Sequence, residues 1–254
     1  MDKSLVKTVE PTEAELRIEL AAAYRLAYQF GWDYLIYNHI TVRVPGPENH
    51  FLINRFGLTF DEVTASNLLK IDADGCVVDG PPDAEVSETG FIIHGAIHAA
   101  REDLACVMHI HTVAGIAISS IEPGMLTFSQ DNMMFHGRVA YHDFEGLAFD
   151  LLERKRLLDD MGEMPVLILR NHGLLTAAPT VAGAFIMMYA LEHACRSQVA
   201  LLSMGQKNSL PLEDVCSHTA GQYWKGNIPP RHFGQDSFAA MMRRLDRTDP
   251  SFRN

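Results

Sequence analysis

Cysteine is scarce: the 254 residues include only four, Cys76, Cys106, Cys195 and Cys216, and no two stand at CxxC spacing. That spacing excludes a thiolate zinc motif and offers no disulfide framework, so a reducing compartment is expected. Basic residues are also short, with 21 lysines and arginines against 32 acidic residues, a formal charge of −11 and a pI near 5.5. Such a surface repels polyanions, and no local basic cluster offsets it, so neither nucleic acid nor an anionic membrane is an expected partner. No stretch approaches the roughly 18 to 20 apolar residues of a spanning helix, and the opening MDKSLVKTVEPTEAEL lacks the apolar core of a signal peptide. A cytoplasmic location is expected. Repeats and low-complexity tracts are missing as well.

What is present is the balance of an ordinary globule, 47% hydrophobic and 21% charged residues, in a length suited to one large domain. After Pro11, Thr12 and Glu15 form a capping box. Leu16, Leu20, Ala23, Leu26, Ala27 and Phe30 then keep helical spacing up to a stop at Gly31. Residues 36–44 and 50–54 are β-rich and separated by a Pro-Gly-Pro break, and 68–72 and 76–78 flank the Asp74, Gly75 turn, which together predict antiparallel sheet. From Glu88 the pattern alternates. A helix through Ala100, a strand holding CVMHIH, a short helix, a strand at 138–142, a helix to Asp159, a strand at 166–170 and a long helix at 180–204 predict a mixed sheet with helices on both faces. Beyond Gly205 the chain is polar, broken by Pro211, Pro229 and Pro230, and its aromatics Tyr223, Trp224 and Phe233 require a cover.

Histidines stand where strands end. His109 and His111 are two residues apart, so on a strand they share a face and their nitrogens can converge on one ion. His172 follows the strand at 166–170, and Gly173 allows a sharp turn there. Three neutral imidazoles make an open transition-metal site that leaves positions for water or substrate. The chain has 12 histidines, so spacing alone leaves both a metal site and ordinary buried histidines open. Glu88 opens the helix before the HxH strand, as an acid–base group or simply as a favourable N-terminal carboxylate. His94 and His98 are four apart without the glutamate of HExxH, so they are expected to be helix-face residues and not a second metal site.

An ordered set of motifs runs from about residue 12 to 204: GW (31–32), LIYNHITVRVP (35–45), FGL (56–58), EVTAS (62–66), VMHIHT (107–112), YHD (141–143) and LILRNHGL (167–174). In these the chain resembles the class II aldolase/adducin family. The resemblance implies an α/β fold, a three-layer α/β/α sandwich around a central mixed, largely antiparallel β-sheet. The implied divisions are a tail at 1–11, the domain at 12–204 and a C-terminal tail at 205–254 packing on the domain or on a neighbouring subunit. It further implies one divalent metal ion per subunit, zinc first with manganese, cobalt or iron as alternatives, held by His109, His111 and His172 beside Glu88. Tyr141 is implied as a second catalytic group reaching the site of a partner subunit in a homotetramer, with sites at the subunit interfaces.

Sugar-phosphate aldolases of the family hold phosphate with Gly-Asn, Thr-Gly and Ser-Ser pairs. The matching stretches here are Asn38 with His39, Phe56 with Gly57, and Val86 with Ser87, bulkier or more apolar, so the phosphate cradle is weakened. Asn38, His39, Arg55, Phe56, Gly57 and Ser87 are therefore expected to meet a small hydroxy-carbonyl or hydroxy-acid substrate other than a simple sugar phosphate. The expected activity is retro-aldol cleavage of a carbon–carbon bond. Decarboxylation of a hydroxylated aromatic or heteroaromatic carboxylate is one alternative, and a non-catalytic adducin-like interaction module is another. Retention of Glu88, where adducin-like heads carry an amide or another residue, favours a working site. The sequence also shows no long basic tail of the adducin kind.

Overall fold

The computed structural model describes residues 10–46, 48–146, 151–206, 209–224, 230 and 232–254, with the backbone alone for residues 88–90 and 151. Most of the expected N-terminal tail and the side chain of Glu88 thus lie outside the described residues. The capping box starts α1 (Glu13–Gln29): the Thr12 backbone N–H donates to the Glu15 carboxylate at 2.8 Å, and the Glu15 N–H donates back to the Thr12 hydroxyl. Gly31, at φ +67°, ends it in the left-handed conformation that glycine adopts without strain.

Among the described residues, seven further α-helices and eight strands follow. They are β1 (His39–Arg43), β2 (Phe51–Ile53), β3 (Leu69–Ile71), β4 (Val77–Asp79), α2 (Glu88–Ala100), β5 (Cys106–Ile110), α3 (Val113–Ser119) and α4 (Gln130–Met133). Then come β6 (Val139–His142), α5 (Leu151–Met161), β7 (Val166–Leu169), β8 (Gly173–Ala178), α6 (Val181–Ser203), α7 (Glu213–Tyr223) and α8 (Gln235–Thr248). The strands form one sheet in the order β4-β3-β2-β1-β5-β8-β7-β6. Every neighbouring pair is antiparallel except β6 with β7.

Strand alternation divides the core into two layers. Ile40, Val42, Cys106, Met108, Ile168 and Leu174 pack under α1, α6 and α8 on one face. Val107, Leu167, Leu169, Leu175 and Ala177 pack under α2 and α5 on the other. The result is the expected three-layer α/β/α sandwich with a mixed, largely antiparallel sheet. Among the described residues no helix is long and apolar enough to cross a membrane.

Three differences from the sequence-based expectations have physical causes. The first strand begins only at His39, because Leu35 turns the chain at φ +54° and residues 33–38 form a loop. Residues 173–178 form β8, buried at every position between β5 and β7. A strand covered on both faces shows no alternation and reads as the approach to the following helix. Past residue 205 the segment expected to pack as a tail on the domain or on a neighbouring subunit carries two helices, α7 and α8. Phe238 and Leu245 of α8 are buried with α1 and α6, Arg25 pairs with Asp249 at 2.7 Å, and Phe252 is fully buried. Trp224 is buried, donates its indole N–H to the Met134 carbonyl and stacks on Phe233. These aromatics find their cover within the chain and need no neighbouring molecule.

Candidate metal centre

The centre is assembled from β5 and the β7–β8 turn. His109, the last but one residue of β5, is on the same face as Val107, the face covered by α2 and α5, and His111 lies two residues on. β8 pairs with β5 so that Ile110 is opposite Leu174, while Leu169 of β7 is opposite Gly173. The three residues between β7 and β8 therefore turn tightly, with Asn171 at φ +57° and the His172 N–H donating to the Leu169 carbonyl at 3.1 Å. A Cβ on Gly173 would stand 2.6 Å from the Ile110 carbonyl oxygen and 3.0 Å from the His111 ring. Only glycine lets the turn press this closely on the HxH strand.

One ring nitrogen from each of His109, His111 and His172 lies within 4.8 Å of the others, and the ring centroids are 4.6 to 4.8 Å apart. The His109 Nδ1–H donates to the Leu174 carbonyl at 2.9 Å. A carbonyl can only accept, so this bond fixes the tautomer and leaves Nε2 with a lone pair directed at His111 Nε2, 2.7 Å away. Burial drives all three pKa values down: His109 well below its ordinary value, His111 to about 4 with help from His172, and His172 by burial alone. At neutral pH the rings are uncharged, and each can offer a lone pair to an ion once the proton between the two facing Nε2 atoms moves to the far nitrogen of His111. Three neutral, convergent imidazoles, one of them oriented by a backbone carbonyl, fit a divalent transition metal.

The surroundings sort the other expected residues. Along α2, His98 lies against Thr41 and His94 against His39, with ring centroids of the latter pair 4.4 Å apart. The helix therefore runs N-terminally toward the centre, and its first residue, Glu88, opens it at that end. The His39 ring is 6.2 Å from that of His109. Phe56 and Ser87 line a cavity of about 880 Å³ together with Tyr37, and Tyr37 neighbours Tyr34, whose ring is 5.8 Å from His111. Gly57 sits in the turn after Phe56. Arg55 instead pairs with Asp83 at 3.2 Å and is not part of that cavity's wall.

Two expected residues are not brought to the centre. Asn38 is buried and donates its amide to the Trp32 carbonyl at 2.9 Å, holding the 33–38 loop to the α1 and α6 layer. Tyr141 packs in that same layer, across the sheet from the three histidines. Its hydroxyl accepts from the Met125 N–H at 3.0 Å, and the Arg170 guanidinium lies 4.3 Å over its ring. Burial raises its pKa.

Other groups are not evident from the sequence. His94 and His98, expected on a helix face, are on the buried face of α2, with one ring nitrogen of each 2.8 Å from the single hydroxyl of Thr41. His142, next to Tyr141 and on the opposite face, bonds Asp160 through Nδ1 at 2.8 Å and lines a small cavity with Glu153 and His172. The signal for His142 is strand alternation. For the His94 pair it is the i, i+4 spacing facing a threonine on an adjacent strand, which one sequence does not reveal.

Comparison with known proteins places this architecture. The family model "Class II Aldolase and Adducin N-terminal domain" matches residues 18–199. A solved aldolase II superfamily protein from Pseudomonas syringae is 47% identical, covering 97% of this chain and 98% of its own at a TM-score of 0.90. L-fuculose 1-phosphate aldolase from Glaciozyma antarctica is 27% identical, with 97% and 98% coverage and a TM-score of 0.84. Alpha-adducin of Rattus norvegicus is 43% identical over 92% of this chain, which spans only 33% of that protein. The matched region contains β5, the β7–β8 turn and all three histidines; the chain belongs to the class II aldolase and adducin family.

Proposed function

We propose that the protein is a divalent-metal-dependent carbon–carbon lyase of the retro-aldol type, acting on a small hydroxy-carbonyl or hydroxy-acid substrate that is not a simple sugar phosphate. The observation that carries this reading is the convergence of three uncharged imidazoles on one point at the end of β5. His109, His111 and His172 would hold the ion, zinc in the first instance. When bound it supplies Lewis acidity that stabilises negative charge on a substrate oxygen as the bond breaks. Glu88, at the N-terminal end of α2, takes the substrate proton and returns it. Tyr141 exchanges the proton of the leaving aldehyde from a neighbouring copy, because in its own chain it lies across the sheet from the histidines. That role calls for an oligomer, a tetramer by family resemblance, with its sites at subunit interfaces.

Two other readings have support of their own. Tyr37, Phe56 and Phe91 around the large cavity suit a hydroxylated aromatic carboxylate, and the same electron sink serves its decarboxylation. The 43% identity to alpha-adducin supports a non-catalytic interaction module. Metal analysis of freshly purified protein is the first test, with close to one ion per chain expected and lost in His109→Ala. Metal-free protein that cannot be loaded would remove both enzymatic readings. Incubation with 2-oxo-4-hydroxy acids and with ortho-hydroxylated aromatic carboxylates, assaying aldehyde and carbon dioxide separately, divides the lyase from the decarboxylase. Carbon dioxide without aldehyde overturns the retro-aldol assignment.

A further inference from the structure

Arg43, Arg138 and Arg154 each have a buried Nε without a partner, but Arg43 and Arg138 donate through their other nitrogens to Asn49, His98 and Gly137, which leaves Arg154 of α5 as the one to explain. Arg17, Arg25, Arg55, Arg101 and Arg253 each meet a carboxylate within 3.2 Å. Arg154 forms no ion pair among the described residues, and its Nε is buried without a hydrogen-bond partner. It lines the 880 Å³ cavity, facing a wall that includes Tyr37, Phe56, Phe91 and Ile92. A guanidinium beside an apolar wall, with a donor unused, is an incomplete anion site, since a buried unmatched donor costs free energy until an acceptor arrives. The start of α2 adds to it: Ser87, the N-cap of this 13-residue helix, is on the same wall.

Two sets of neighbouring residues relate the cavity to the three-histidine centre. Ile92 and Arg154 line it, while the next residues of the same two helices, Ile93 and Glu153, line the small cavity that includes His172. Tyr37 is linked through Tyr34 to His111, with ring separations of 6.3 and 5.8 Å. The exposed carboxylates Asp74 and Glu85 also line the cavity. One guanidinium against two carboxylates admits a monoanion more readily than a dianion, which favours a carboxylate over a phosphate monoester.

We infer that Arg154 is the anion anchor of the substrate cavity, binding the carboxylate of a small, flat hydroxy acid whose hydroxyl end is directed at the three-histidine centre. The assignment rests on the reading of that centre as a metal site for its direction, and on the cavity alone for the anchor. It replaces Arg55, which Asp83 already neutralises.

The test is calorimetric titration of zinc-loaded and chelator-treated protein with 2-hydroxybenzoate, its uncharged amide and phosphoglycolate, in wild type, Arg154→Gln, Arg154→Lys and Arg55→Gln. Wild type should prefer 2-hydroxybenzoate over the amide by about tenfold or more, the scale of a charged hydrogen bond. Arg154→Gln should abolish that preference, Arg154→Lys should keep part of it, and Arg55→Gln should leave it intact. Thermal melts of the variants, expected to match wild type, guard against a folding defect. The anchor is overturned if wild type binds acid and amide equally, if the preference survives Arg154→Gln, or if Arg55→Gln removes it. Tighter binding of phosphoglycolate overturns the carboxylate assignment. If zinc fails to bind while the Arg154-dependent preference persists in chelator-treated protein, the metal reading falls and the anchor stands.

Discussion

Two groups of histidines occupy one face of the sheet, and their contrast shows what turns an imidazole into a ligand. His94 and His98 are wholly enclosed between α2 and β1, and both rings close on the hydroxyl of Thr41. That hydroxyl has one proton, so it donates to one ring and accepts from the other, which locks the two rings in complementary tautomers. Burial lowers the pKa values of His109, His111 and His172 as well, yet their inner nitrogens converge on each other with no hydroxyl between them. Residue type is shared, and burial only in part, since His111 and His172 are half-buried. What differs is direction: the partnered nitrogens of His94 and His98 point at one hydroxyl and their other nitrogens are buried without a partner, whereas one nitrogen from each of the other three points at a shared centre.

The largest effect should come from the converging group. His109→Ala removes one donor of three and strands the Leu174 carbonyl. Zinc affinity, measured by chelator competition, should fall by more than the ~10–100-fold usual for outer-shell changes, whereas Thr41→Val should leave it nearly unchanged. Equal losses in the two variants would erase the distinction drawn between the groups. Next, Glu88→Gln should lower turnover of any substrate found by ~10²–10⁴-fold with metal content preserved; intact turnover would remove its assigned proton role.

Thr41→Val should instead show itself in stability. Two buried ring nitrogens lose their partner, at roughly 1–3 kcal/mol each, and a melting temperature lowered by several degrees is expected. The smallest effect is a slope. Burial, aided by Arg43, pushes the His98 pKa down to about 3, against an ordinary value near 6.5 in the unfolded chain. Between those values the unfolded chain binds the extra proton, so stability is full above about pH 6.5 and falls with pH, by up to ~1.4 kcal/mol per unit. His98→Phe should flatten that limb in denaturant titrations at pH 7 and pH 5. An unaltered slope would mean that His98 is not what makes the fold acid-sensitive.

Elements with local signals are legible in the amino-acid sequence itself. Thr12 and Glu15 announce α1, Asp74 and Gly75 the β3–β4 turn, and the HxH spacing a common face. The elements that escape such reading depend on distant partners. β8 is hidden because its neighbours β5 and β7 flank it and both its faces are covered. α8 is hidden among prolines and polar residues, although Phe238, Met241, Met242 and Leu245 stand at i, i+3, i+4 and i+7 and pack with the core shared by α1 and α6. Within the site, the three histidines can be named from spacing and resemblance. That Arg55 is already paired, that Asn38 is tied to Trp32 and that Tyr141 lies across the sheet are facts of tertiary packing that no local pattern carries.

The hydrogen bond from His109 to Leu174 joins residues 65 apart in sequence. Closing so long a loop is slow, and nothing local can substitute for it. Before β8 has docked, His172 is not beside β5 and His109 has no carbonyl to set its tautomer; a slip of one residue would displace the turn by about 3.3 Å. Capture of the ion therefore cannot precede completion of the middle of the sheet. An ion held there would tie β5 to the β7–β8 turn and stabilise the native state by mass action. Chelation should accordingly hasten amide exchange in β5 and β8 first, while β3 and β4 at the far edge keep their own, lower protection.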